Sequence, residues 1–300
     1  MNADLGDLHA FVVVARAGGF RDAARKTDIS ASTLSEAVRR LEARLGMRLL
    51  HRTTRSVTPT EAGELLMARL SPALNEVEAA LEVVDQLRGF PSGTLRLNVP
   101  VSAARLTLPS ILPGFMEAYP SIRVEIDAED HLIDVLASGS DAGIRYEDKL
   151  EQDMIAVPIG PRIQRFATAA APAYLDRHGR PEHPRDLLDH ACIVGRYVTG
   201  TLASPWEFAR DGELLRVEPK GRLIVRVGGA SDLGVDAALN GIGIVHLFED
   251  WLKPFIESGR LEPVLSDWWQ SFPGPYLYYS GARLVPPTLR AFIDYIKTTR

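Results

Sequence analysis

Between Thr60 and Arg88, seven apolar residues (Leu66, Leu70, Ala73, Val77, Ala80, Val84 and Leu87) recur in alternating steps of four and three. That spacing is the seam of a coiled coil. A helix over this stretch would be roughly 40 Å long at ~1.5 Å per residue. Too little chain surrounds it to bury the stripe internally, so the spacing predicts a partner helix and a homodimer at least. Pro72 interrupts the pattern and removes one helix hydrogen bond, which predicts a kink. Gly89-Phe90-Pro91-Ser92-Gly93 then reads as a linker. The helix thus divides the 300 residues into a short head and a long body.

In the head, Leu5, Leu8, Phe11, Val12 and Ala15 recur at helical spacing, and Gly18-Gly19 stops that helix. Phe20 to Lys26 predicts a second short helix, and Asp28-Ile29-Ser30 a tight turn. A third helix starts near Ser30 to Ser32, where a serine can accept from orphan N–H groups. Leu34, Val38, Leu41 and Leu45 form its stripe, and Gly46 ends it. Met47 to Leu50 and Ser56 to Thr58 read as two short strands, with His51 to Arg55 as the loop between them and Pro59 blocking extension. Three helices and a small hairpin describe a winged helix-turn-helix. With the stripe buried, Ser32, Glu36 and Arg39 lie on the opposite face, with Ser35 and Arg40 beside them. Its N-terminal part is small and polar, suited to a major groove.

Charge supports this division. Residues 1–60 hold ten Lys/Arg against six acids, whereas the whole chain carries −5, so the body carries −9. A basic head on an acidic body is expected where one end meets phosphate and the other does not.

The body alternates strands and helices. Strands are expected at Thr94 to Val99, Ile122 to Ile126, Ala142 to Arg145, Phe166 to Ala170, Cys192 to Gly195, Leu223 to Val227 and Ile242 to Val245. Helices are expected at Arg105 to Tyr119, Leu132 to Ser138 and Leu233 to Leu239. This order implies parallel sheets flanked by helices, with ligands at the carboxyl ends of strands. The sequence carries no P-loop, Gly-x-Ser-x-Gly or zinc motif, and Gly241-x-Gly243 lacks a third glycine, so an enzyme is disfavoured. No His spacing suggests a metal, and no cofactor is expected. The single cysteine, Cys192, reads as a small buried hydrophobe. No long apolar run predicts a membrane span. The opening residues lack a basic n-region, so a cytoplasmic location is expected, which opposes a secreted solute-binding module.

The segment GGFRDAARKTDISASTLSEAVRRLEARLGMRLLHRTTRSVTPTEAG, residues 18–63, resembles the DNA-binding region of LysR-type transcriptional regulators. The matching elements come in register: a Gly-Phe helix entry, an Ala-Ala pair, a Ser-rich entry to the third helix, Leu-Glu-x-x-Leu-Gly, Arg-Leu-Leu-x-Arg and Thr-Glu-Ala-Gly. Leu108-Pro109, Tyr119-Pro120, Asp141 to Arg145 and Gly241 to Ile244 extend the resemblance over nearly the whole chain. Ala31 stands where the family often has Gln, and Glu36 where it often has a basic or amide residue. Glu36 can still accept from cytosine N4.

The resemblance implies an α/β chain with an all-α winged helix-turn-helix over 1–60, a linker and dimerisation helix over 61–90, and an effector-binding domain over 91–300. That domain would resemble periplasmic binding proteins, with lobe one at about 91–162 and 268–300 and lobe two at about 163–267. Trp268-Trp269 would pack at the crossover. The partners implied are double-stranded DNA, a small-molecule effector, and further copies of the chain, assembled as a homotetramer in the family's manner. Candidate DNA-binding residues are Arg21, Ser32, Thr33, Ser35, Glu36, Arg39, Arg40, Arg52, Thr54 and Arg55, with the wing arginines reaching phosphate. Candidate effector residues at strand ends are Val101, Ser102, Arg145, Tyr146, Gly195, Arg196, Ser231 and His246. Ser102 and Ser231 could equally cap helices. Two arginines converging with His246 would suit an anion, and Tyr146 a flat, partly apolar ligand.

Overall fold

The computed structural model describes residues 4–27, 29–52, 57–86, 91–129, 139–146, 154–281 and 284–299. The expected turn residue Asp28, the wing residues Thr54 and Arg55, Leu87 of the seam and the helix expected at Leu132 to Ser138 lie outside these. The chain divides into two compact units, one built mainly on residues up to Ser92 and one mainly on residues from Gly93.

The first unit begins with helix α1 (Leu5–Ala17). Asp4 accepts from the N–H of Gly6, and Gly18 closes the helix at φ 67°, a left-handed conformation that favours glycine. Helix α2 (Phe20–Lys26) follows. Helix α3 (Ala31–Leu45) is capped by Ser30, whose Oγ accepts from the N–H of Thr33 at 3.1 Å. Phe11, Val14, Ala23, Leu34, Val38 and Leu41 close one apolar core. Strands β1 (Leu50–Arg52) and β2 (Val57–Pro59) pair antiparallel as the wing.

The wing sits later in the sequence than its apolar residues suggest. Leu49 and Leu50 both turn inward, so ladder pairing begins only at Leu50. Arg52 therefore lies within a strand and not in the loop. Pro59 is the last residue of its strand, where it pairs with Leu50, a position that tolerates the missing N–H.

Helix α4 (Glu61–Gln86) contains Pro72. Its seam is divided between two uses. Leu66 and Leu70 are half-buried against the core of their own unit, together with buried Leu74. Ala73 is exposed, and Val77 is 43% exposed. The expectation that the head could not cover this stripe is therefore corrected for its first turns.

The second unit runs β3 (Gly93–Val99), α5 (Val101–Leu106), α6 (Leu112–Ala118), β4 (Ile122–Ala128), β5 (Ala142–Arg145) and β6 (Met154–Pro158), all in the first lobe. The second lobe holds β7 (Ile163–Ala170), α7 (Pro172–His178), β8 (Cys192–Arg196), β9 (Trp206–Arg210), β10 (Glu213–Val217), β11 (Leu223–Arg226), α8 (Ser231–Leu239), β12 (Ile244–Phe248), α9 (Glu249–Glu257), β13 (Glu262–Val264) and β14 (Ser271–Pro273). The chain then returns to lobe one as β15 (Tyr276–Ser280) and α10 (Pro287–Thr298).

Lobe one orders its strands β4-β3-β5-β15-β6, and lobe two β11-β8-β12-β7-β13. The sheets are mixed and not purely parallel: β15 runs antiparallel to β5 and β6, and β7 antiparallel to β12, β13 and β14. Strand-helix alternation reports local connections, whereas the direction of β7 and β15 is set by the chain's passage between lobes. The single helix expected over 105–119 is broken into α5, a 3-10 turn at Leu108–Ser110 and α6. Pro109 and Pro113 have no N–H to donate, and each opens a new helical turn.

Candidate functional site

On α3, Ser32, Thr33, Glu36 and Arg39 are exposed and Ser35 partly so, opposite buried Leu34, Ala37, Val38 and Leu41. The Ser30 hydroxyl lies 2.8 Å from both the Ser32 and Thr33 hydroxyls, forming an ordered polar tip at the start of the helix. Arg21 is exposed in the first turn of α2.

Two of the arginines expected at this face are held by internal partners. Arg40 donates through Nη2 to Asp7 Oδ1 at 2.7 Å, tying α3 to α1. Asp7 itself is only 3% exposed, so the guanidinium supplies the counter-charge that its carboxylate needs. That hydrogen bond raises the already high pKa of Arg40. Arg52 donates through Nη2 to Glu42 Oε2 at 3.0 Å, and its guanidinium lies 4.9 Å from the ring centroid of Phe20. Both exposed side chains tie elements of the unit together through these ion pairs.

The family-like motif residues prove to be structural. Glu42 Oε1 accepts from the N–H groups of Leu49 (2.9 Å) and Leu50 (3.2 Å). It thereby fixes the chain between the end of α3 and the wing. Thr60 Oγ1 donates to the Arg48 carbonyl (2.9 Å) and accepts from Gly63 N–H (3.1 Å), capping α4. A Cβ on Gly63 would stand 2.1 Å from the Leu49 carbonyl oxygen, so only glycine admits this close approach.

In the second unit a cavity of about 530 Å³ opens where the lobes meet, within the usual range for small-molecule sites of about 300–1,000 Å³. Five of the eight expected residues line it: Ser102, Tyr146, Gly195, Ser231 and His246. Three do not. Val101 packs against the apolar core of lobe two. Arg145 turns onto lobe one, donating through Nη2 to Asn98 Oδ1 at 2.7 Å and through Nη1 to the Ile144 carbonyl at 2.6 Å. Arg196 is exposed, away from the lining. The Ser231 hydroxyl accepts from Gly228 N–H at 3.1 Å, closing the turn before α8.

His246 sits in an aromatic nest, stacked on Trp206 (4.8 Å between centroids, 21° between planes) and tilted against Phe166 and Phe208. Its Nδ1 is 2.9 Å from Thr168 Oγ1. Burial pushes its pKa down to about 3, so the ring is neutral at physiological pH. The expected convergence of two arginines with His246 is therefore corrected: His246 lines the cavity, and Arg145 and Arg196 do not.

Other lining residues escaped the sequence reading: Phe166, Trp206, Glu207, Phe248, Gln270 and Phe272. Trp206 and Glu207 belong to the β9–β10 hairpin. Its turn residues Asp211 (φ 52°) and Gly212 (φ 84°) are the Asp-Gly signal of a tight hairpin, which could have located it. Cys192 is buried, and burial pushes its thiol up to about 12. Trp268 packs in one lobe-two core cluster, and Trp269 donates from Nε1 to the Val264 carbonyl at 3.0 Å. Among the described residues no group of three His, Cys, Asp or Glu could hold a metal, and no helix is long and apolar enough to cross a membrane.

Two family models match this chain. One, described as bacterial regulatory helix-turn-helix protein, lysR family, covers residues 5–64; the other, LysR substrate binding domain, covers residues 88–300. The HTH-type transcriptional regulator YcaN of Escherichia coli K12 is 41% identical over 298 residues, spanning 99% of this chain and 96% of that protein. PgrR, an HTH-type transcriptional regulator of the same strain, is 37% identical over 294 residues, spanning 98% and 97%. The full-length structure of the Vibrio cholerae virulence activator AphB, a member of the LTTR family, aligns at a TM-score of 0.63 with 27% identity, covering 98% of this chain and 99% of that one.

Proposed function

The chain belongs to the LysR family of bacterial transcriptional regulators, and from that premise we propose which of its residues meet DNA and which meet the effector. It is a DNA-binding regulator with a separate effector-binding domain, not an enzyme.

The proposed DNA-reading face is Ser32, Thr33, Ser35, Glu36 and Arg39 on α3, with Arg21 on phosphate and Thr54 and Arg55 in the wing. Arg40 and Arg52, ion-paired to Asp7 and Glu42, hold that face in place from its edge. The observation that carries this reading is the polar, exposed side of α3 lying opposite its fully buried stripe. The proposed division is 1–60 for the head, 61–90 for the linker and 91–300 for the effector domain, acting in the cytoplasm. Val77, with Ala73, Ala80, Val84 and Leu87, supplies the partner-facing seam of a homodimer. Two dimers form the homotetramer.

The effector occupies the cavity between the lobes. By favouring one arrangement of the oligomer it changes how two heads sit on spaced half-sites. Filter binding of the full chain to mixed-sequence duplex over a salt series tests the phosphate assignment. Arg21→Ala is expected to flatten the slope of log affinity against log salt by about 0.9, the value for one phosphate contact. An unchanged slope contradicts it.

A further inference from the structure

The lining of the cavity has a chemical bias. Tyr146, Phe166, Trp206, Phe248 and Phe272 form its aromatic wall, with Phe166 4.8 Å from Phe272 and 4.9 Å from Phe248 between ring centroids. Among the described residues that line it there is no lysine or arginine. The one carboxylate among those described residues, Glu207, already accepts from Arg216 Nε at 2.9 Å. An anion brought into such a place would lose its hydration with no counter-charge from these residues in return.

The helix ends nearby do not reverse this. Helix α5 is only six residues long. Helix α8 carries Asp232 in its first turn, where its carboxylate accepts from Arg105 and from Trp251 Nε1. The polar points left are few and neutral. The Ser102 hydroxyl has no hydrogen-bond partner among the described residues, and neither has Nε2 of His246. Gln270 adds a half-buried amide side chain.

We propose that the effector is an uncharged, ring-containing molecule held by stacking, and that the cavity discriminates against anions of the same shape. The inference rests on the cavity being the effector site. Its support is the aromatic wall and the neutral polar points, with no cation among the described lining residues; the uncharged state of His246 agrees with it.

Two dyes with one ring skeleton test it: neutral N-phenyl-1-naphthylamine and anionic 8-anilinonaphthalene-1-sulfonate. Each is titrated by fluorescence into the full chain and into Ala203→Trp and Gln270→Trp, which fill the cavity from half-buried positions at its lining. Circular dichroism checks that each variant folds. The binding lost in a folded, filled variant is the cavity-bound part. For that part the neutral dye is expected to bind at least tenfold more tightly. If the sulfonate binds equally or better there, the cavity assignment stands and the effector class is wrong. If neither dye binds, or if filling the cavity alters the binding of neither, the cavity assignment fails and takes this inference with it.

Discussion

Glu42 is the side chain on which the geometry of the DNA-binding unit most depends, and Glu42→Ala measures that dependence. One carboxylate takes the N–H groups of Leu49 and Leu50 and the guanidinium of Arg52. Both leucines are about 1% exposed, so truncation leaves two N–H groups without a protein partner in a poorly hydrated place. An orphaned buried donor costs about 1–3 kcal/mol. The Arg52 pair is partly exposed and adds little. About 3 kcal/mol is therefore expected, a large share of the roughly 5–15 kcal/mol that holds a typical domain. Hydrogen exchange read by mass spectrometry on the full chain localises the effect. Amides of α3 and β1 should exchange about 100-fold faster, the equivalent of that energy at about 1.4 kcal/mol per decade. Amides of β3 and β8 in the second unit should be unchanged. Glu42→Gln keeps a carbonyl acceptor for the two N–H groups and loses only the ionic part, so it should cost under about 1 kcal/mol. If alanine and glutamine behave alike, the bracing role assigned to the two backbone bonds is wrong.

Gly63→Ala places a methyl against the Leu49 carbonyl, a backbone atom that cannot step aside cheaply; a loss of about 2 kcal/mol or more is expected in thermal melts. An unshifted melt would contradict the close packing of α4 on the wing. His246 has a folded pKa near 3, below its ordinary value of 6.5. The unfolded chain therefore binds the extra proton first as pH falls. The stabilisation is complete above pH 6.5, declines by up to ~1.4 kcal/mol per pH unit below it, and is gone below pH 3. Unfolding free energies from urea titrations at pH 7 and pH 5 should differ by about 2 kcal/mol more in the native chain than in His246→Phe; equal differences refute the neutral ring. Cys192, with its thiol raised to about 12 by burial, should resist iodoacetamide in the native state and react on unfolding. Fast native labelling would show the site to be open.

The first unit was legible because its rules are local. Ser30 and Gly46 delimit α3, and the stripe of Leu34, Val38, Leu41 and Leu45 declares its buried side. The wing strands came out displaced because ladder pairing depends on Glu42, eight residues before β1 begins, and no periodicity reports such a bond. The ion pairs of Arg40 and Arg52 were illegible for the same reason: their acids, Asp7 and Glu42, lie 33 and 10 residues away in sequence. The effector cavity was half legible. Strand ends located Ser102, Tyr146, Gly195, Ser231 and His246, whereas Trp206 and Phe272 enter through a hairpin and a crossover strand that no strand-helix alternation announces. Arg145 ends a strand as expected, and its hydrogen bonds to Asn98 and Ile144 then turn it away from the cavity.

Selection of duplexes from a random-sequence pool by the full chain tests most directly that the polar side of α3 recognises base edges. The account requires recovery of a shared motif made of two half-sites about one helical turn apart or a multiple of that, with altered base preference in Glu36→Gln. A pool that stays random after repeated rounds at low salt, with the native chain folded throughout, would contradict it.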